Sequence, residues 1–211
     1  GGSLESALER AGRPMPPVVV GDVCAQVAAG LEYLHEKKRL VHRDVKPGNV
    51  LVRRSGACKI TDFGIVARSK MMEETNTNDV TSGDEQKNFS SQKSVALRSF
   101  KGSLRYMSPE RVERKPYGRA ADVWSLGVTL CECALGRYPF DEQDGGVLGL
   151  ALVISQASET GEGILDRALE ARGGAQDDDE AWEALASVLR SCVCRDPGDR
   201  PQEIDLRRDL P

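Results

Sequence analysis

Histidine is nearly absent from this chain: among 211 residues only His35 and His42 carry an imidazole. A Cys/His zinc module therefore has few ligands to draw on, and the six cysteines lack the spacing as well. Cys131/Cys133 and Cys192/Cys194 are C-x-C pairs rather than C-x-x-C, and Cys24 and Cys58 stand alone. They read as free thiols, buried or half-buried, in a reducing compartment, which predicts a cytoplasmic location. No apolar run approaches the length of a membrane span. Val18-Val19-Val20 is a short apolar stretch inside a helical pattern rather than a signal peptide. Positive charge is not in excess, with 29 Lys and Arg against 33 Asp and Glu for a formal net charge of −4. No global basic field is present to hold nucleic acid or an anionic membrane. No internal repeat occurs.

What is present is the balance of a soluble globular chain, 39% hydrophobic and 29% charged, with enough length for one domain. Residues 3–11 read as a short helix with Ser3 as N-cap, stopped by Gly12 and the prolines that follow. Val20, Val23, Cys24, Val27, Leu31 and Leu34 then repeat at three- and four-residue steps, predicting an amphipathic helix that ends in the basic run Lys37-Lys38-Arg39. Val50-Leu51-Val52 and Cys58-Lys59-Ile60-Thr61 flank Ser55-Gly56, a hairpin signal. Residues 70–94 are polar, without periodicity, and read as a solvated loop. Residues 120–135 are apolar nearly all round and predict a central helix, with Tyr138-Pro139-Phe140 as its stop. Residues 147–155 suggest another helix, and the Gly- and acid-rich stretch 158–179 suggests a loop. Trp182, Leu185, Val188, Leu189 and Cys192 mark a further amphipathic helix. A turn at Asp196-Pro197-Gly198-Asp199-Arg200-Pro201 and a short last helix follow.

Two strings carry the chemistry: His42-Arg43-Asp44-Val45-Lys46-Pro47-Gly48-Asn49 and Asp62-Phe63-Gly64. They lie at the two ends of the predicted hairpin, which brings Asn49 and Asp62 close together as a shared cation requires. A lone Asp is usually a solvated surface residue and a lone Asp-Phe-Gly is common by chance; the ordered pair across a hairpin is specific. These residues resemble the catalytic and magnesium-binding loops of eukaryotic-type protein kinases. The resemblance implies a mainly α fold with short β-hairpins, that of the kinase C-terminal lobe, using ATP and Mg²⁺. It implies that Asp44 accepts the substrate hydroxyl proton and that Lys46 contacts the γ-phosphate. Asn49 and Asp62 hold magnesium, and Leu51 lies under the adenine ring, a role compatible with that of an ordinary core leucine. His42 and Phe63 are implied to stack in a structural column inside the lobe. Arg43 is implied to pair with a phosphate on the activation segment, the alternative being a structural salt bridge. The resemblance further implies that Glu110 and Arg200 form a buried ion pair and that Asp122 anchors the backbone of the catalytic loop, all three as structural residues.

The string Lys101-Gly102-Ser103-Leu104-Arg105-Tyr106-Met107-Ser108-Pro109-Glu110-Arg111 narrows the resemblance to the mitogen-activated protein kinase kinases, as do Gly1-Gly2-Ser3-Leu4 and Gly136-Arg137-Tyr138-Pro139-Phe140. Ser103 stands where these enzymes usually carry Thr and is expected to bridge Asp44 and Lys46. Ser99 falls on one regulatory phosphorylation position. The second position falls on Val95, a departure, with Ser94 beside it; a Ser-rich loop also contains serines by composition alone. By this reading 1–64 holds helices and the catalytic loop, 65–110 the activation segment with an insert at about 70–94, and 111–211 a C-terminal helical subdomain. The Gly-rich strand turn, the Val-Ala-Ile-Lys lysine and its partner glutamate do not occur, so the expectation is a C-lobe without the N-lobe, inactive alone. The implied partners are a protein substrate, itself a downstream kinase, and an upstream activating kinase, with no nucleic acid and no membrane. The implied reaction is transfer to Ser/Thr, with Tyr left open. Two alternatives stand beside it: another Ser/Thr kinase of the same broad group, or a non-catalytic kinase-like binding module.

Overall fold

The computed structural model describes residues 1–63, 67–68, 104–140, 154 and 179–207. A two-residue strand β1 (Gly2–Ser3) leads into α1 (Leu4–Ala11). Ser3 is extended and its hydroxyl accepts the Ser6 N–H at 3.1 Å, the cap read from the sequence. Gly12 closes the helix in the left-handed region, its N–H returning to the Leu8 carbonyl.

Helix α2 (Pro17–Glu32) starts on a proline, whose missing N–H costs nothing in a first turn. Val20, Val23, Cys24, Val27 and Leu31 are all buried on its inner face. It runs without a break into a wider π-helical turn, Tyr33–Lys38, closed by Arg39 at φ 55°. The continuous helix Pro17–Lys38 has 22 residues and a mean hydropathy of 1.2 in its most apolar window. That corrects the expectation that no apolar run approaches a membrane-spanning length. Half of the window is buried inside the molecule, against the central helix and the hairpin, which accounts for its apolarity by packing.

Two small antiparallel sheets follow. Strands β3 (Val50–Val52) and β4 (Cys58–Ile60) form the predicted hairpin, with Val50 opposite Ile60 and Val52 opposite Cys58, and β1 pairs along the other edge of β3. The strand β2 (Leu40–Val41) pairs with β5 (Ala67–Arg68). A short α3 (Pro109–Val112) precedes α4 (Arg119–Leu135), the centre of the molecule. From Ala121 to Leu135 every residue of α4 except Glu132 is buried. The helix ends at Leu135 as the sequence predicts, but its terminator is Gly136 rather than Tyr138-Pro139-Phe140. Gly136 sits at φ 66°, and a Cβ on it would lie 2.7 Å from the Pro14 nitrogen, so both backbone and space call for glycine. Helix α5 (Asp179–Cys192) packs Trp182, Leu185, Val188, Leu189 and Cys192 onto α4 and α2. Turns of 3-10 helix at Pro197–Asp199 and Asp205–Arg207 end the described chain.

Five of the six cysteines are buried and Cys58 is half-buried, all as free thiols. Burial pushes the Cys24 thiol up to about 12. The polar stretch 70–94, residues 158–178 and the expected helix 147–155, apart from the buried Ile154, lie outside the described residues.

Candidate active site

The catalytic-loop string runs from β2 into β3 through a 3-10 turn at Pro47–Asn49. Asp44 is 7% exposed. Its Oδ2 accepts from Lys46 Nζ at 2.7 Å and from Asn49 Nδ2 at 2.9 Å; the same Nδ2 also donates to the Asp44 carbonyl at 2.7 Å. The Asn49 amide nitrogen is thus taken up by two Asp44 acceptors, which fixes the orientation of the amide and turns Oδ1 to the other side. Thr61 N–H donates to the Asn49 carbonyl at 2.9 Å, extending the hairpin by one bond and leaving Asp62 as the next residue. Asp62 has φ 62° and Arg43 φ 72°, two non-glycine residues held in the left-handed region on either side of the site. Such conformations persist only where surrounding structure over-determines them.

For Arg43 that support is visible. Asp122, on the first turns of α4 and fully buried, accepts the His42 N–H on Oδ2 and the Arg43 N–H on Oδ1, each at 2.7 Å. The most buried of the described helices therefore dictates the backbone just ahead of Asp44. His42 is also fully buried. Its Nε2 donates to the Thr61 carbonyl at 3.1 Å, and its Nδ1 accepts the Asp44 N–H at 3.4 Å, tying the loop to the far end of the hairpin. Phe63 meets His42 edge-on with ring centroids 5.4 Å apart, yet is 53% exposed. The expected stacked column inside the lobe is instead an edge contact at the surface. Leu51 is 45% exposed beside the buried Val50, because alternate residues of a strand face opposite sides. An ordinary core leucine is excluded, and a face open to a planar ligand remains.

Glu110 and Arg200 meet as a two-pronged pair, Nη1 to Oε1 at 2.8 Å and Nη2 to Oε2 at 2.9 Å. Arg200 also donates to the Cys194, Arg195 and Ala120 carbonyls. Its guanidinium lies 5.1 Å from the Trp124 ring centroid. Burial alone would raise Glu110; the bonds and charge of Arg200 outweigh it and hold the carboxyl below its ordinary value. Ser94, Ser99, Ser103 and Gly64 lie outside the described residues.

Sequence reasoning missed two groups here. Tyr117 lies between two guanidiniums, Arg43 at 5.4 Å and Arg111 at 5.2 Å from its ring centroid, and Arg111 donates to the Arg43 carbonyl at 2.6 Å. His35 is buried against Asp122 and Glu203. A signal for His35 existed: it falls four residues after Leu31, on the apolar stripe of α2.

A model of the protein kinase domain matches residues 1–207. The chain belongs to the protein kinase family. The match covers the catalytic loop and hairpin of this kinase domain together with its helical remainder. Among curated relatives it is 38% identical over 140 residues to mitogen-activated protein kinase kinase 1 of Arabidopsis thaliana, covering 66% of this chain and 33% of that protein. It is 33% identical over 210 residues to the mitogen-activated protein kinase kinase SIPKK of Nicotiana tabacum, covering 99% of this chain and 50% of the relative. Against the dual specificity mitogen-activated protein kinase kinase dSOR1 of Drosophila melanogaster the identity is 36% over 162 residues, 77% of this chain and 35% of that one. The matches span between a third and a half of these relatives.

Proposed function

We propose that this chain is the C-terminal lobe of a mitogen-activated protein kinase kinase. In the whole protein it passes the γ-phosphoryl group of ATP to Ser/Thr of a downstream kinase, with Tyr as a further acceptor. The observation that carries this reading is the Asp44 carboxylate held between Lys46 Nζ and Asn49 Nδ2 on a loop fixed to α4. In such transfers the protein positions groups and neutralises charge more than it forms bonds.

Asp44 orients the substrate hydroxyl and takes its proton as the oxygen–phosphorus bond forms. Lys46, on the same side of the loop, places its ammonium by the moving phosphoryl oxygens. Asn49 Oδ1 and the Asp62 carboxylate are hard oxygen donors at the two ends of one hairpin, which suits magnesium. Bound there, magnesium would supply neutralisation of the phosphate oxygens. Leu51 offers its exposed face to the adenine ring. Arg43, beside Asp44, receives a phosphate on the activation segment, with Ser99 as the first acceptor and Ser94 as the second, set there by an upstream kinase. Ser103 bridges Asp44 and Lys46. The cytoplasm is the place of action, on the reading of the cysteines as reduced thiols.

The test is Asp44→Asn in the full-length protein. The variant should bind nucleotide as the unmodified protein does and lose transfer on the order of a thousandfold, the scale of a positioned general base. Equal turnover by both proteins would remove Asp44 from this role, and no transfer by either would favour a non-catalytic binding module.

A further inference from the structure

One buried polar cluster shares only Asp122 with the reading above. His35, 6% exposed in the π-helical turn that continues α2, has a carboxylate oxygen at each ring nitrogen: Glu203 Oε1 lies 2.6 Å from Nδ1 and Asp122 Oδ2 lies 2.8 Å from Nε2. A neutral imidazole has one N–H and one lone pair, so it satisfies only one of these oxygens; the imidazolium satisfies both. Burial opposes that charge, but the hydrogen bonds and attraction of Asp122 and Glu203 outweigh it and raise His35 to about 9. Glu203 responds in kind: burial would raise it, and the bond and charge of His35, helped by Arg119, hold it below its ordinary value. Arg119, in the first turn of α4, is itself paired with Glu36 at 2.8 Å.

The cluster leads to the catalytic loop. Asp122 Oδ2, which receives His35, also receives the His42 N–H, and Oδ1 receives the Arg43 N–H. The carboxylate that sets the backbone ahead of Asp44 is thus itself set by His35. The other end of His35 is set by Glu203, in the turn just before the 3-10 helix Asp205–Arg207. Asp122 and Glu203, 87 and 168 residues further along the chain than His35, thus meet on one ring.

We propose that Glu203 is a positioning residue for the catalytic loop, acting through the His35 imidazolium and Asp122, so that a change at the C-terminal turn is felt in the backbone of His42, Arg43 and Asp44. Its value to catalysis rests on the role given to Asp44 above; the coupling itself does not.

The experiment uses the full chain, isotopically labelled, and its Glu203→Gln variant, which keeps an amide oxygen for Nδ1–H. In the variant the His35 titration midpoint, followed by its ring carbon resonances, should fall from about 9 toward the ordinary 6.5. Amide hydrogen exchange at His42 and Arg43 should rise about tenfold, the scale of one weakened charge-assisted hydrogen bond. Exchange at Leu130, deep in α4, should hold. In the unmodified chain the same two amides should lose protection, beyond the base-catalysed trend, as pH rises through 9, which keeps the test alive if the variant does not fold. An unmoved midpoint, unchanged protection at His42 and Arg43, or a loss shared equally by Leu130 would each overturn the proposal. Since no readout requires phosphoryl transfer, a catalytically silent protein would count against the proposed function and leave this inference standing.

Discussion

Taking the Arg200 guanidinium away would strand the buried Glu110 carboxylate, and with it the carbonyls that Arg200 serves, with little water to replace what was lost. Because both partners are buried, the cost is that of an uncompensated charge rather than of a surface pair. Arg200→Ala should lower unfolding free energy by about 3–5 kcal/mol in denaturant titration. A loss below about 1 kcal/mol would mean the pair is solvated in solution. This pair was legible in the sequence through its motif context, as was Asp122. The His35 cluster was not, because nothing local announces a partner 168 residues away, and a lone histidine on an apolar stripe has many bland explanations. The exposure of Leu51 was hidden for a simpler reason: an all-apolar strand does not say which of its faces is covered.

Among elements, α4 and α5 show how far close packing extends beyond periodicity. A Cβ on Gly127 would stand 2.6 Å from the Cys192 Cβ and 3.0 Å from a Val193 methyl, so the two helices approach at a point where one must be bare. Gly127→Ala should therefore destabilise, overpacking of about 1–3 kcal/mol outweighing the gain of about 1 kcal/mol in helix propensity. The melting temperature should drop, and shaving Cys192 to Ala should not restore it, since the clash is with Cβ and not with sulfur. Rescue by Cys192→Ala would place the conflict elsewhere. Three-residue and four-residue apolar steps were enough to read α2 and α5 from the sequence, an apolar run nearly all round was enough for α4, and Ser3 and Gly12 announced the ends of α1. The end of α4 was legible but its terminator was not, because Gly136 was taken with the motif that follows it, when its left-handed backbone and the nearby Pro14 make it the terminator. The π-helical turn Tyr33–Lys38 leaves no compositional trace that a 3.6-residue period would reveal.

For the molecule as a whole, the buried ionisable groups set a slanted dependence of stability on pH. His35 has its folded value raised, so its contribution is complete below 6.5 and is lost as pH climbs through about 9. Beyond 9 the buried thiols, also held un-ionised, steepen the fall. Glu110 and Glu203 are lowered, so theirs is present above 4.5 and lost as pH drops through their depressed values, while Glu132, raised by burial, works against them. Unfolding free energies from denaturant titration across pH should decline between 6.5 and 9 on the order of 1 kcal/mol per pH unit. The slope should vanish in His35→Gln; a slope that survives there would belong to another group. The attachment of the strained loop to α4 carries one more consequence. An arrangement hung from the deepest beam of a building does not sag before the building does. As the protein warms, the alignment around Asp44 should stay intact up to the cooperative collapse of the interior and vanish together with it, in one step rather than by gradual fading.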